Sequence, residues 1–285
     1  MKNLIIVGID FSKGSLGALD YAINIAAKSG AKVLMIWVDK VNYTSTFFNT
    51  PKTGYKAEIK AQFEKLIKKY DKKIKGKIDY KIRSGKVYQE IANQAKYSDA
   101  DLIVSGTHGT SGFQEFWIGS NANRIVSTAP CPVVTIRQGF YVKPKQGIKK
   151  IILPIDSTQE TREKVPFAMR LAKHFNPEIH LLALHSTSVQ TIKRRVNSYA
   201  DQVEKYIKKL DEGMKVVRAS IDAESVTTST LNYVKEVDGD LIAIMTEQET
   251  SAANIFLGPY AQQIVNRSEV PVLSVHSKGI YDVTI

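Results

Sequence analysis

The chain has 285 residues, a length that suits two domains of roughly 150 residues each, and a 43% hydrophobic, 24% charged composition that excludes a disordered or low-complexity polymer. A single cysteine, Cys131, excludes an intramolecular disulfide framework, and its setting in Ala129-Pro130-Cys131-Pro132 reads as a packed thiol. No apolar run reaches the roughly 18 residues of a membrane span, and Asp10 breaks the first apolar stretch too early for a secretory leader, so a cytoplasmic location is expected. The net charge of +12 is unevenly placed: residues 1–145 carry 23 basic and 11 acidic side chains, residues 146–285 carry 17 of each.

In chain order, Asn3 to Ile9 is a short buried-strand run that ends in Gly8-Ile9-Asp10. Ser15 to Ala27 has helical periodicity and stops at Ser29-Gly30, a C-terminal stop signal. Lys32 to Val38 is a second strand, Asp39 to Thr53 a polar and aromatic loop, and Ala57 to Ile74 a long amphipathic, lysine-rich helix. Ile78 to Ile82 alternates as a strand, Val87 to Lys96 is helical, Asp101 to Ser105 a strand, Asn121 to Ser127 helix-compatible and Val133 to Ile136 a last strand. The order βαβαβαβαβ predicts an α/β fold, a parallel sheet with helices on both faces.

Residues 138–148 read as a linker, after which the pattern restarts. Lys149 to Asp156 echoes Lys2 to Asp10, Ile179 to His185 echoes the second strand, and Tyr199 to Leu210 is a long helix that looks shorter on its upstream side. From Leu102 onward the halves align without a gap at an offset of 139: Gly119 falls on Gly258, Pro132 on Pro271, Val133 on Val272. An internal duplication follows, with a first domain over 1–138 and a second over 148–285.

The richest chemistry lies in Gly106-Thr107-His108-Gly109-Thr110-Ser111-Gly112, with Gly119-Ser120-Asn121 opening the next helix. A strand, a glycine loop and a helix start make an anion cradle, since glycines let backbone approach a phosphate and a helix N-terminus offers unpaired N–H groups. If the first and fourth strands are neighbours, Asp10 meets this loop at the crevice where doubly wound sheets bind ligands; it suits ribose hydroxyls or a metal on the phosphates, and an N-cap role compatible with either. His108 is in reach of a phosphate or is structural, and carries no catalytic assignment. In the second half Gly106 becomes Met245, Gly109 becomes Gln248 and Ser120 becomes Pro259, while Glu247 and Glu249 enter, so that copy is expected to have lost the anion site. Walker, dinucleotide-fingerprint, zinc-helix and nucleophile-elbow motifs are absent from the sequence. Trp37 and Trp117 read as packing residues, and the basic surface, without interleaved exposed aromatics, is weak evidence for nucleic acid.

The duplication, the Val7-Gly8-Ile9-Asp10-Phe11-Ser12 start and the Gly-x2-Gly-x9-Gly-Ser loop leading into Ala129-Pro130-Cys131-Pro132-Val133-Val134 resemble the universal stress protein family, in two tandem copies. The resemblance implies a Rossmann-like five-stranded parallel sheet in each half, ordered 3-2-1-4-5, with the ATP-binding motif in the first. It implies that Asp10 faces the ribose or a metal, that Gly8 belongs to the same nucleotide site, that the Val38 backbone meets adenine, that Gly106, Thr107, His108, Gly109 and Gly112 wrap ribose and phosphates, and that Gly119, Ser120 and Asn121 hold the phosphates. It also implies pairing of Val133–Ile136 with Val272–Val275 as an internal pseudo-dimer, with a homodimer left open. The expected function is ATP (or AMP/ADP) binding, with Mg or Mn accompanying the nucleotide, in stress signalling. The alternatives are a slow metal-dependent ATP hydrolase or nucleotidyl-transfer enzyme, and a non-nucleotide module for nucleic acid or acidic surfaces.

Overall fold

A computed structural model describes residues 3–39, 53–107, 119–140, 147–246, 248–251 and 254–276. The first half runs β1 (Leu4–Gly8), α1 (Lys13–Ser29), β2 (Lys32–Asp39), α2 (Thr53–Ile74), β3 (Ile78–Ser84), α3 (Val87–Ser98), β4 (Leu102–Gly106), α4 (Ser120–Thr128) and β5 (Val133–Ile136). The second runs β6 (Lys150–Ile155), a 3-10 turn (Gln159–Arg162), α5 (Val165–Phe175), β7 (Glu178–His185), α6 (Gln190–Leu210), β8 (Val216–Asp222), α7 (Val226–Glu236) and β9 (Leu241–Thr246). It closes with β10 (Gln248–Ser251), β11 (Asn254–Leu257), α8 (Pro259–Arg267) and β12 (Val272–His276).

Both halves carry the order 3-2-1-4-5, and they join in a single ten-stranded sheet, β3-β2-β1-β4-β5-β12-β9-β6-β7-β8. Every pairing in it is parallel except the central one, where β12 meets β5 antiparallel with Leu273 opposite Val134. A five-stranded unit leaves its last strand with a row of unpaired backbone groups, and pairing the two last strands satisfies both rows at once. Alternation along the strands divides the core into two layers. Ile5, Val7, Val33 and Met35 face α1, α2, α5 and α6, whereas Ile6, Leu34, Ile36 and Ile103 face α3, α4, α7 and α8.

The duplication is visible in the caps. Gly30 ends α1 in the left-handed region at φ 73°, its N–H donating to Ala26 O; Asn176 ends α5 at φ 49°, its N–H donating to Ala172 O. Two elements differ from the sequence reading. Helix α6 begins at Gln190 rather than Tyr199: Ile192 and Val196 carry the stripe of Ala200, Val203 and Ile207 upstream at helical spacing, among exposed Gln190, Thr191, Arg194 and Arg195, and the sequence reading cut that period short. The gap-free alignment also concealed an antiparallel hairpin, β10 with β11, between β9 and α8.

Candidate functional site

Strands β1 and β4 are direct neighbours, with Ile5, Ile6 and Val7 opposite Leu102, Ile103 and Val104. The chain leaves their C-terminal ends toward opposite sides of the sheet, and the divergence opens a crevice. A cleft of about 450 Å³ lies there, within the usual size of a small-molecule site. Gly8, Asp10, Val38, Gly106, Thr107, Gly119, Ser120 and Asn121 all line it. His108, Gly109 and Gly112 lie outside the described residues.

The turn after β1 is held by side chains. Asp10 Oδ1 accepts the Ser12 N–H at 3.0 Å, and Asp10 N–H donates to Ser15 Oγ at 3.2 Å. Ser12 is the N-cap of α1, accepting from Ser15 N–H at 3.2 Å, so the capping role open to Asp10 belongs to Ser12. Phe11 sits between them at φ 62°, a costly conformation for a bulky residue, and its ring packs at 5.1 Å from that of Phe63. The second half repeats the turn: Thr158 N–H donates to Asp156 Oδ1 at 2.8 Å and Asp156 N–H to Thr161 Oγ1 at 3.2 Å.

Gly106 is needed for a reason that the sequence reading did not contain. A Cβ there would stand 2.8 Å from the Gly14 carbonyl carbon and 2.9 Å from its oxygen, so glycine allows the end of β4 to pass against the first turn of α1. In the second half Met245 occupies this register, and a 3-10 turn at Gln159–Arg162 replaces the α-helical start.

Helix α4 brings its N-terminus to the cleft. Gly119 is its N-cap, and no side chain caps it among the described residues. The Gly119 N–H is already donated to Thr107 O at 2.7 Å, and the helix begins with Asn123 N–H on Gly119 O at 3.0 Å. The N–H groups of Ser120, Asn121 and Ala122 are therefore those left without an intrahelical acceptor, at the positive end of the helix dipole. The cleft is also lined by apolar Ile36, Val87, Ile91 and Ile125, and by an aromatic pair, Trp37 and Tyr55, 5.6 Å apart edge to face. Sequence reasoning missed this lining. Trp37 adjoins Val38 at the end of β2, which was the available signal, but Tyr55 comes from α2 and only tertiary packing places it here.

The second copy is furnished differently. Tyr260 stands at the register of Asn121, packs against the core layer on that face, and follows Pro259, which has no N–H to give. Burial, and then the Asp156 carboxylate, push the Tyr260 pKa upward. Lys164 stands where α1 has Ala18; it is 2% exposed, and its ammonium donates to Thr161 O and, at 3.1 Å, to Thr161 Oγ1. Burial lowers its pKa from 10.5 to about 8, against the opposing pull of Asp156. A lysine whose folded pKa is depressed costs stability fully below pH 8, and the cost fades as pH rises through 10.5, where the unfolded chain also loses the proton. Lys164→Met is therefore expected to be more stable than the native chain at pH 7, by about 1–2 kcal/mol once its lost hydrogen bonds are deducted. Urea unfolding at pH 7 and pH 10 checks this: the advantage should shrink at the higher pH.

The ion pairs found among the described residues, such as Lys215–Glu178 and Arg218–Asp201, lie in the second half, and the lysines of α2 take part in none of them. Among the described residues no group of three or more His, Cys, Asp or Glu is placed to hold a metal, and no helix is long and apolar enough to cross a membrane.

The model of the universal stress protein family matches residues 1–137 and again 147–276. A universal stress protein of Methanocaldococcus jannaschii is 34% identical over 149 residues, spanning 50% of this chain and 83% of that protein. One of Bacillus subtilis is 28% identical over 153 residues, spanning 48% of this chain and 100% of its own length. The crystal structure of a universal stress protein from Archaeoglobus fulgidus covers 97% of this chain and 99% of itself at a TM-score of 0.72 and 18% identity, a likeness of fold.

Proposed function

This chain belongs to the universal stress protein family, and we propose on that footing that residues 1–138 form a nucleotide-binding unit for an adenine nucleotide, ATP or a lower adenylate, with residues 148–285 as its non-binding companion. The observation that carries this reading is the pairing, within one cleft, of an apolar and aromatic slot with the bare N-terminus of α4. A flat heterocycle fits the slot beside the Val38 backbone, a ribose falls toward Asp10, and phosphates fall toward Ser120–Ala122. One carboxylate beside phosphates is also a donor set that Mg or Mn accepts, since these ions take most of their other ligands from phosphate and water. Asp10 is the residue that would hold such an ion, and the ion would neutralise phosphate charge.

The reading is of a binding and signalling unit. The work assigned to the nucleotide is selection of one conformation over another through differential affinity. Calorimetric titration with ATP and with AMP tests it. ATP should bind the native chain and the Gln248→Val variant alike, and Gly109→Val should abolish binding. Absence of binding at millimolar nucleotide would sink the proposal. Strong metal-dependent turnover lost in Asp10→Ala would favour an enzyme instead. The lysines of α2 favour a second reading, an acidic polymer bound at that face; it requires steeply salt-dependent binding that survives Gly109→Val.

A further inference from the structure

We propose that Arg124, seated on the ring of Tyr88 beside the cleft, reads the outermost phosphate of the bound nucleotide and so sets a preference for a triphosphate over a monophosphate; the inference rests on the nucleotide reading above. Helices α3 and α4 lie against each other, and each brings its N-terminal half to the cleft, with Val87 and Ile91 from one and Ser120, Asn121 and Ala122 from the other. Arg124 stands four residues after Ser120 and three after Asn121, a spacing that puts all three on one face of α4. Side chains on a helix lean toward its N-terminus, so the arginine reaches back along the face that carries the open amides. Its guanidinium carbon, Cζ, lies 5.1 Å from the centroid of the Tyr88 ring, next in sequence to Val87.

Arg124 is exposed and Tyr88 half-buried, and among the described residues Arg124 enters none of the ion pairs. An exposed arginine loses rotamer freedom when it grips an anion, and a ring beneath the guanidinium restrains it beforehand. That contact uses none of the five N–H groups, which remain in their fork for two phosphate oxygens. The pull of a helix N-terminus fades within its first turn, so the amides of Ser120–Ala122 suit the first phosphate better than the later ones. A third phosphate adds charge farther out, and a cation on a long side chain is the group that meets it. A monophosphate offers that cation nothing.

The second copy supplies the contrast. The N-caps Lys86 and Ser225 set α3 on α7, and Gly119 and Gly258 set α4 on α8. Tyr88 then falls on Thr227 and Arg124 on Gln263, so both members of the pair are missing from the copy that has Pro259 in place of Ser120. A contact needed only to hold the two helices together would serve both copies alike. Helices α7 and α8 lie against each other without it.

The test is titration calorimetry with ATP and with AMP, at one fixed magnesium concentration, on the full chain and on Arg124→Gln and Tyr88→Thr, each of which installs the residue of the second copy. Arg124→Gln should weaken ATP by about tenfold or more and AMP by less than about twofold. Tyr88→Thr should weaken ATP by a smaller factor, and should cost nothing further once Arg124 is gone. Unchanged ATP affinity in Arg124→Gln overturns the inference and leaves the nucleotide reading standing. Equal losses for ATP and AMP also overturn it, because they report a disturbed α4 rather than a lost phosphate contact. A Tyr88→Thr loss that persists without Arg124 overturns the seat assigned to the ring. If the native chain binds neither nucleotide, the nucleotide reading fails and this inference falls with it.

Discussion

Asn121→Tyr is expected to weaken adenine-nucleotide binding by about 100-fold or more, roughly 2.7 kcal/mol, with little change in melting temperature. The second half has already performed this substitution: Tyr260 stands at the register of Asn121, with its ring packed against the core layer on that face. The backbone at the head of α8 therefore tolerates a tyrosine, and α4 begins in the same way, with Gly119 as N-cap at φ −58°, ψ 145° and Gly258 at φ −58°, ψ 156°. In the first half the ring would enter the cleft that Ile91 and the start of α4 line, where ribose and phosphate are proposed to lie. A ligand would have to displace it. The reciprocal Tyr260→Asn should not create a second site, since Pro259 lacks the amide that Ser120 offers and Lys164 fills the place of Ala18. Titration calorimetry on both variants decides the matter. Unchanged affinity in Asn121→Tyr would mean that the nucleotide does not use this cleft.

Gly106→Val should destabilise the chain by about 3 kcal/mol, at the upper end of what overpacking costs. Its Cβ would meet the Gly14 backbone at 2.8 and 2.9 Å, and backbone cannot swing aside as a side-chain tip can. Gly8 makes the instructive contrast: a Cβ there meets only Ile91 Cδ1, at 2.9 Å, so Gly8→Ala should cost far less. Urea unfolding measures both. If Gly106→Val lost nucleotide binding at full stability, the glycine would be serving ligand approach alone, and the packing account would be wrong.

These two residues also show how far the sequence could be read. Asn121 was placed at the phosphates by resemblance, and in the structure it lines the cleft. Its equivalence to Tyr260 follows from the constant offset, but whether that tyrosine points inward cannot be derived from spacing. Gly106 was assigned to phosphate approach, whereas its nearest obstacle is the first turn of α1, more than ninety residues earlier in the chain. Asp10 was left between two roles, and the hydrogen bonds of Ser12 and Ser15 give the cap to Ser12.

What the sequence by itself determined is whatever repeats locally: the alternation of strand and helix, the duplication, the glycine loop poised at a helix start, and the excess of positive charge in the first half. Side-chain periodicity, turn residues and caps act over a few positions, so they are written in neighbouring letters. The pairing of β5 with β12 was expected from the resemblance, whereas the tertiary structure alone decided its antiparallel register, that Trp37 and Tyr55 wall the cleft, and that Lys164 is sealed inside the second copy. Each of these depends on which distant surfaces come to lie against one another, and burial and pairing energies between them leave no local trace in the order of residues.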